Sequence, residues 1–285
     1  MLLKRYWSIK NITNNTYIYK TMTSYKKAIN IIKNKESLLC VGLDSDISKI
    51  PHSLFSADIN GLYDFNRAII ENTKEFATAY KINFAFYEQY GSDGFNLIKK
   101  TLELIPSNIF TIADAKRCDI SNSSAGYSKS VFDSMNFDSV TVNAYMGIDS
   151  VAPFLENKNK MVFVLALTSN PGSNDFQRLM IDKKPLYEHI IEKVNNSFAT
   201  ENIGFVIGAT HSKELNEIRK KIENNFILIP GVGVQGGNIA DIVEANNNLP
   251  AFINVSRGII YPEVGNFNEK VSEMALYYKN AFNKA

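Results

Sequence analysis

The sequence predicts an α/β protein with the (β/α)8 fold of a TIM barrel, and three observations lead to this prediction. Apolar runs rich in β-branched residues recur eight times along the 285 residues. Segments with helical periodicity lie between these runs. Nearly every run ends in a polar or glycine-rich stretch. A doubly wound open sheet is the alternative, because it is built from the same alternation of strands and helices.

The predicted elements follow one another in a regular order. The eight strands cover residues 38–43, 77–84, 109–113, 139–142, 161–167, 203–209, 226–229 and 251–255. Helical spacing is clear at Leu62, Phe65 and Ile69 after the first strand, and at Leu215 and Ile218 after the sixth. Crossover helices between strands imply parallel pairing, and eight such units close naturally into a barrel.

Polar side chains occur at the carboxyl ends of the predicted strands. They are Asp44, Lys81, Asp114 with Lys116, Asn143, Ser169, Gln235 and Arg257. In a closed barrel these ends converge on one face, which is where the active sites of TIM barrels lie. An open sheet does not explain such convergence, so the barrel is favoured.

The segment IFTIADAKRCDI at residues 109–120 carries the densest chemistry. Asp114 and Lys116 are two residues apart, so on an extended backbone they project to the same side and share one pocket. Asp119 lies beyond the expected strand end, and the strand does not fix its direction. A lysine between two carboxylates is held protonated, since an opposite charge at ~4 Å contributes about 4 kcal/mol at an effective dielectric near 20. The motif predicts a positioned proton donor, although a structural ion pair fits it equally well.

Glycine-rich loops follow the last two predicted strands. Around Gln235, the segment PGVGVQGG contains Gly231, Gly233, Gly236 and Gly237, and VSRG contains Arg257 and Gly258. Loops at these places in a TIM barrel often bind phosphate through backbone amides and an arginine. Glycine also serves ordinary tight turns, but the two motifs in register favour a phosphate site. We expect phosphate capture to close a loop that begins at Pro171.

Composition restricts the classes of partner. With 31 Lys and Arg against 29 Asp and Glu, the formal charge of +2 provides no long-range field for nucleic acid or an anionic membrane, so a small-molecule partner is favoured. No apolar stretch reaches the ~20 residues that span a bilayer. The two cysteines and three histidines show no metal-ligand spacing, so no metal site is predicted. A reducing, cytoplasmic location fits the cysteine content.

Residues 1–22 form a basic, Asn-rich leader that we expect to be flexible, and residues 23–285 are expected to form a single catalytic barrel. No acidic residue precedes Glu36. A targeting peptide, a disordered leader and an upstream extension before a start at Met22 are all consistent with this composition.

DAKRCDI resembles the D-x-K-x-x-D-I signature of orotidine 5′-phosphate decarboxylases. LCVGLD at 39–44, AYKINFAFYE at 79–88, TVNAYMG at 141–147, LALTSNPGS at 165–173, PGVGVQGG and VSRGI resemble segments of that family in the same order. The resemblance covers roughly residues 24–265 and is nearest to the longer bacterial form. It implies a homodimeric barrel that converts orotidine 5′-monophosphate (OMP) to uridine 5′-monophosphate (UMP), the last step of pyrimidine synthesis, without metal or organic cofactor.

The resemblance also implies roles for individual residues. Lys81, Asp114, Lys116 and Asp119 match the family's charged tetrad, with Lys116 as proton donor and Asp119 reaching the neighbouring subunit's site. The matched binding residues are Asp44 for a ribose hydroxyl, Ser169 for the pyrimidine, Gln235, Gly236, Gly237, Arg257 and Gly258 for phosphate, and Asn143 in a supporting role. Ser123 is expected to approach the ribose bound in the neighbouring subunit.

Three residues depart from the family pattern. Cys118 and Ser121 replace glycines, and Ser123 replaces a threonine while keeping the hydroxyl. If the glycine replaced by Cys118 had a positive φ, the cysteine would cost stability. Other branches of the family carry larger residues at the position of Cys118, so we expect little functional loss from that change.

Other functions remain open from the sequence. A sugar-phosphate decarboxylase or epimerase of the same barrel lineage shares the D-x-K-x-x-D pattern but uses magnesium. A Schiff-base aldolase could act through Lys81 or Lys116, although flanking acids keep an amine charged and disfavour attack. A non-catalytic sensor of nucleotide phosphates would keep the pocket without the reaction.

Overall fold

A computed structural model of the protein describes residues 22–198, 201–233, 238–262 and 265–283. Its eight barrel strands are β1 (Leu39–Gly42), β2 (Ala79–Asn83), β3 (Phe110–Arg117), β4 (Ser139–Val142), β5 (Met161–Leu167), β6 (Ile203–Ile207), β7 (Phe226–Pro230) and β8 (Ala251–Val255). Each strand pairs in parallel with its neighbours in sequence, and β1 closes the ring against β8. The predicted (β/α)8 barrel is confirmed. Except for Met22, the predicted leader lies outside the described residues.

Helices connect the strands and surround the barrel. They are α1 (Ser24–Lys35), α2 (Ile59–Thr73), α3 (Ala85–Glu88), α4 (Gly91–Leu104), α5 (Ser121–Lys129), α6 (Ile148–Val151), α7 (Ser173–Phe176), α8 (Leu186–Ser197), α9 (Ser212–Arg219), α10 (Ile239–Asn246), α11 (Arg257–Ile260) and α12 (Phe267–Asn283). A π-helical turn (Ser130–Ser134), a 3-10 turn (Ala152–Leu155) and a short hairpin (Met180–Ile181 with Lys184–Pro185) complete the described elements. In the described ranges, no helix is both long and apolar enough to cross a bilayer.

The barrel interior is filled by aromatic and aliphatic side chains and is closed at its amino-terminal end. Phe252 stacks on Phe110 and Phe226, with ring centroids 4.9 and 5.3 Å apart. Helix α1 covers this end with the buried side chains of Ala28 and Ile31. A second apolar layer lies between the strands and the outer helices. The packed interior leaves the carboxyl end of the strands as the face that carries the polar side chains.

Strand β3 is longer than predicted, and the difference matters for the site. The apolar run ends at Ala113, but the strand continues to Arg117 because its pairing with β4 shifts register between these two residues. Strand β2 is shorter than predicted, since Phe84 already has helical backbone angles and begins the turn into α3. The irregularity in β3 places Asp114 and Lys116 inside the strand rather than after it.

Candidate active site

An open cavity of about 430 Å³ lies at the carboxyl end of the barrel. Among the residues predicted to act, those that line it are Asp44, Lys81, Asp114, Lys116, Ser169, Arg257 and Gly258. They come from five different strands or from the residues directly after them. The closed sheet therefore brings together charged side chains that are more than 200 positions apart in the sequence.

Asp114 is the centre of a charged cluster that consists of Asp44, Lys81, Asp114 and Lys116. Its Oδ2 accepts a hydrogen bond from Lys81 Nζ at 2.9 Å, and its Oδ1 accepts one from Lys116 Nζ at 2.6 Å. Asp44 Oδ1 lies 3.4 Å from Lys81 Nζ. Positive and negative groups thus alternate through the cluster. The Lys81 side chain is 4% exposed, whereas that of Lys116 is 49% exposed and accessible to a ligand.

The cluster shifts the protonation equilibria of its buried members. Burial by itself would lower the pKa of Lys81, but the carboxylates of Asp114 and Asp44 outweigh it and hold the pKa above its ordinary value. Burial would also raise the pKa of Asp114, but the ammonium groups of Lys81 and Lys116 outweigh it and hold this pKa well below its usual range. Both groups are therefore charged at neutral pH.

The backbone at Lys116 has an unusual conformation. Its φ is +46°, in the left-handed region that a residue with a Cβ seldom adopts. The Lys116 amide donates a hydrogen bond to Thr141 Oγ1 at 2.9 Å, and the same hydroxyl donates to Asp114 Oδ1 at 3.1 Å. Thr141 on β4 therefore supports both functional groups of β3. Sequence reasoning missed this residue, because a threonine inside a strand gives no signal of such a role.

Asp119 lies in the short loop between β3 and α5 and does not line the cavity of its own chain. Its Oδ1 accepts a hydrogen bond from the Ile120 amide at 2.8 Å, and its carbonyl oxygen accepts one from Ser124 Oγ at 2.9 Å. Within the described chain, the lysine that lies between two carboxylates is Lys81 rather than Lys116. Among the described residues, Lys116 and Asp119 form no ion pair with each other.

The predicted phosphate site is described in part. Arg257 and Gly258 open helix α11 directly after β8, and both line the cavity. Gly231 and Val232 line it from the loop after β7. Gln235, Gly236 and Gly237 lie outside the described residues. An arginine and two glycine loops thus lie in the same cavity as the charged cluster.

Two predicted binding residues lie outside the cavity lining. Asn143 follows β4, where its side-chain oxygen accepts a hydrogen bond from the Tyr145 amide at 3.0 Å, so it stabilises the turn locally. Ser123 is half-buried in α5, one turn after Asp119. Cys118, one of the three departures from the family pattern, has no positive φ. The backbone strain considered for a cysteine that replaces glycine therefore does not arise there.

Further polar residues of the cavity were not identified from the sequence. They are Asn83, Thr141, Thr168, Asn170, Gln177, Asn254 and Ser256. Gln177 belongs to the segment after Pro171, and its Oε1 accepts a hydrogen bond from the Thr168 amide at 2.7 Å. Its position in the loop that begins at Pro171, which we expect to close on phosphate capture, was the sequence feature that could have indicated its place in the cavity. Among the residues that the structure describes, no three His, Cys, Asp or Glu side chains are grouped as a metal site requires.

Comparison with known proteins is consistent with this geometry. The family model described as "Orotidine 5′-phosphate decarboxylase / HUMPS family" matches residues 37–263. An orotidine 5′-phosphate decarboxylase of Christiangramia forsetii is 48% identical over 254 residues, covering 87% of this chain and 93% of that protein. One from Dehalococcoides mccartyi is 42% identical over 272 residues, covering 93% and 97%.

The solved structures agree with the sequence comparison. The structure of Leishmania donovani OMP decarboxylase superposes with a TM-score of 0.81 at 31% identity, covering 92% of this chain and 98% of that one. The match to the family model, over residues 37–263, includes the barrel and every strand that lines the cavity. The chain therefore belongs to the orotidine 5′-phosphate decarboxylase / HUMPS family, as its DAKRCDI motif implied.

Proposed function

We propose that this protein decarboxylates OMP to UMP and that Lys116 supplies the proton that replaces the carboxylate. The observation that carries the proposal is the contact of one buried carboxylate, Asp114, with both Lys81 and Lys116 in a cavity that also contains Arg257. Family membership and the names of the curated relatives support the substrate and the reaction.

The chemistry follows from the charges around the cavity. The substrate phosphate binds near Arg257, which orients the pyrimidine ring toward the charged cluster. The ring carboxylate then lies beside Asp114, and repulsion between the two negative charges destabilises the bound substrate. When the carbon–carbon bond breaks, carbon dioxide leaves and the electron pair stays on the ring carbon. The Lys116 ammonium transfers a proton to that carbon and is reprotonated from solvent.

The cluster disfavours the two alternative enzymes. A Schiff-base aldolase needs a neutral amine, but Asp114 and Asp44 hold the pKa of Lys81 above its ordinary value. A magnesium-dependent enzyme of this lineage needs carboxylates that face a metal. Here Lys81 Nζ lies within 3.4 Å of both Asp44 and Asp114, so a cation would have to displace it. No comparable observation favours a non-catalytic sensor.

We propose that the protein acts as a homodimer in which Asp119 completes the neighbouring site. Large apolar side chains in the loops after β3 and β4 are exposed: Tyr145 at 83%, Ile120 at 60% and Met146 at 48%. Contiguous exposed apolar residues indicate a protein interface. A second copy seated on this surface would bury them and bring its Asp119 toward Lys116.

A loop after β5 supports the proposed closure over the phosphate. Phe176 and Leu179 are 66% and 51% exposed on this segment, while Gln177 between them points into the cavity lining. Closure would bury apolar surface on a bound nucleotide and exclude water from the reacting groups.

We further propose that residues 23–285 act as one catalytic domain in the cytoplasm, which agrees with the free thiols of Cys40 and Cys118.

The proton-donor role is tested with Lys116→Ala. We expect this variant to fold and bind UMP but to lose turnover of OMP by at least ~100-fold, because no positioned proton remains. Lys100→Ala, which removes an exposed lysine of α4, is the matched control and should keep full turnover. Turnover by Lys116→Ala near that of the control would refute the donor role.

Site sharing is tested by mixing subunits. Lys116→Ala and Asp119→Ala homodimers should each be inactive, but a mixed dimer has one site with both native residues. We expect recovery of activity after subunit exchange, approaching a quarter of wild-type sites at equal mixing. Exchange without recovery would show that Asp119 does not serve the neighbouring subunit.

A further inference from the structure

Helix α12 packs beneath the phosphate end of the cavity, although it lies outside residues 37–263 that the family model matches. It contacts α11, which begins with Arg257. Its Tyr278 is 7% exposed, and its ring packs against Phe282 with centroids 6.0 Å apart. A buried tyrosine thus projects from the last helix toward the loops that carry the predicted phosphate ligands.

The hydroxyl of Tyr278 lies against two glycines that belong to different loops. A Cβ added to Gly258, after β8, would lie 2.7 Å from Tyr278 Oη. A Cβ added to Gly233, after β7, would lie 3.0 Å from the same atom. Both distances are shorter than van der Waals contact, so the hydroxyl occupies the space that side chains would need. One oxygen atom therefore packs against both loops of the phosphate site.

The two glycines differ in backbone conformation. Gly233 has a φ of +85°, which residues with a Cβ rarely adopt. Gly258 lies in the helical turn of α11 and has no positive φ, so an alanine there meets no backbone strain. The hydroxyl of Tyr278 is then the closest obstacle to a methyl group at 258, because the next atoms, Cε2 and Cζ of the same ring, are 3.4 Å away.

We infer that Tyr278 is a positioning residue for phosphate binding, holding the loops after β7 and β8 at the separation that suits a phosphate. The inference rests on the proposed function. Arg257 and the amide groups near Gly233 and Gly258 form a good site only when their relative position is fixed, since hydrogen bonds to phosphate are directional. Burial raises the pKa of Tyr278, which keeps an uncharged hydroxyl beside the anion site.

A purely structural tyrosine would make the same contacts without affecting ligand binding. A double-mutant cycle of Gly258→Ala and Tyr278→Phe separates the two roles. Removing the hydroxyl leaves only contacts of 3.4 Å for the added methyl group. Gly233→Ala with Tyr278→Phe is the matched control, because the positive φ of Gly233 strains an alanine whatever the space. Tyr277→Phe, on an adjacent residue that is 56% exposed, controls for loss of a hydroxyl from α12.

The measurements are Kd for UMP and for uridine by titration, KM and kcat for OMP, and Tm without ligand. We expect Gly258→Ala to weaken UMP binding on the order of 10- to 100-fold, the loss expected when about one hydrogen bond to the charged phosphate is broken. Adding Tyr278→Phe should recover most of that loss, because the methyl group at 258 then fills the space of the removed hydroxyl, while the affinity for uridine, which has no phosphate, changes little. Adding Tyr278→Phe to Gly233→Ala should not restore UMP affinity, and Tyr277→Phe should bind UMP as the wild type does.

Each outcome decides the inference. Coupling in both Tm and UMP affinity supports it. Coupling in Tm alone, or equal losses for UMP and uridine, would show that Tyr278 is merely structural. Unchanged UMP affinity in Gly258→Ala would also overturn it. If the wild-type protein neither binds UMP nor turns over OMP, the proposed function fails and the inference fails with it, whereas wild-type activity without coupling overturns the inference alone.

Discussion

Replacing Asp114 with asparagine tests the charged cluster most sharply, because the change keeps the shape of the side chain and removes its charge. In the native protein its two oxygens accept hydrogen bonds from Lys81, Lys116 and Thr141. The Lys81 and Asp114 side chains are only 4% and 10% exposed. After the substitution, the Lys81 ammonium stays buried with the more distant Asp44 as its carboxylate partner.

The magnitude follows from burial. Removing one partner of a buried ion pair typically costs about 3–5 kcal/mol, since the other charge is left uncompensated. Asp44 at 3.4 Å offsets part of this cost, so we expect a loss of about 3 kcal/mol in the free energy of unfolding. For a protein of this size that corresponds to a fall in Tm of roughly 6–10 °C. Turnover should also fall, because Lys116 loses the negative charge of its ion-pair partner.

The assay is denaturant unfolding of wild type and Asp114→Asn at one protein concentration, with Asp64→Asn as the control. Asp64 pairs with Arg67 on α2, and both side chains are about half exposed, so loss of this ion pair should cost less than ~1 kcal/mol.

The comparison of the two variants is then repeated as a function of pH. Unfolded aspartate titrates near pH ~4, and the native pKa of Asp114 lies well below its usual range.

The pH dependence has a definite sign. A group with a depressed native pKa contributes its stability above the unfolded pKa and loses it as the pH falls through the native value. The stability gap between wild type and Asp114→Asn should therefore be constant near neutrality and shrink below about pH 4. An Asp114→Asn variant as stable as the Asp64→Asn control at pH 7, or a stability gap that widens in acid, would show that the buried charge of Asp114 does not stabilise the fold.

Three further substitutions test other parts of the structure. Arg257→Ala should weaken UMP binding by at least ~10-fold without changing Tm, measured by titration, because its exposed guanidinium serves the ligand rather than the fold. Arg219→Ala should lower stability by about 3 kcal/mol and leave the KM of the folded enzyme unchanged, since this buried side chain bonds Asn246 and two backbone carbonyls far from the cavity. Tyr145→Asp should shift the protein to monomers in sedimentation and abolish turnover with the fold intact.

Much of the fold could be predicted because each strand carries its own signal. The apolar runs at residues 139–142, 161–167 and 251–255 coincide with strands β4, β5 and β8. Such runs are buried on both faces, so local composition suffices to identify them. The closing of β1 against β8 followed from counting eight units rather than from any single residue.

The parts of the site that sequence did not predict depend on contacts between elements. Strand β3 continues past its apolar run through a register shift against β4, and the amide of Lys116, whose φ is +46°, donates a hydrogen bond to Thr141 on that neighbouring strand. No local pattern encodes that contact. Gln177 reaches the cavity from a loop whose path depends on Thr168. Tyr278 is similar, since the spacing of α12 gives no indication that its hydroxyl meets two glycines.

We propose that the cluster of Asp44, Lys81, Asp114 and Lys116 decarboxylates a pyrimidine nucleotide without help from a metal. The most direct measurement follows the absorbance of OMP during incubation with EDTA-treated protein, with the product separated and identified. We expect stoichiometric conversion of OMP to UMP and carbon dioxide at the same rate before and after chelation. Tight binding of OMP with no fall in its absorbance, or turnover that requires added magnesium, would contradict it.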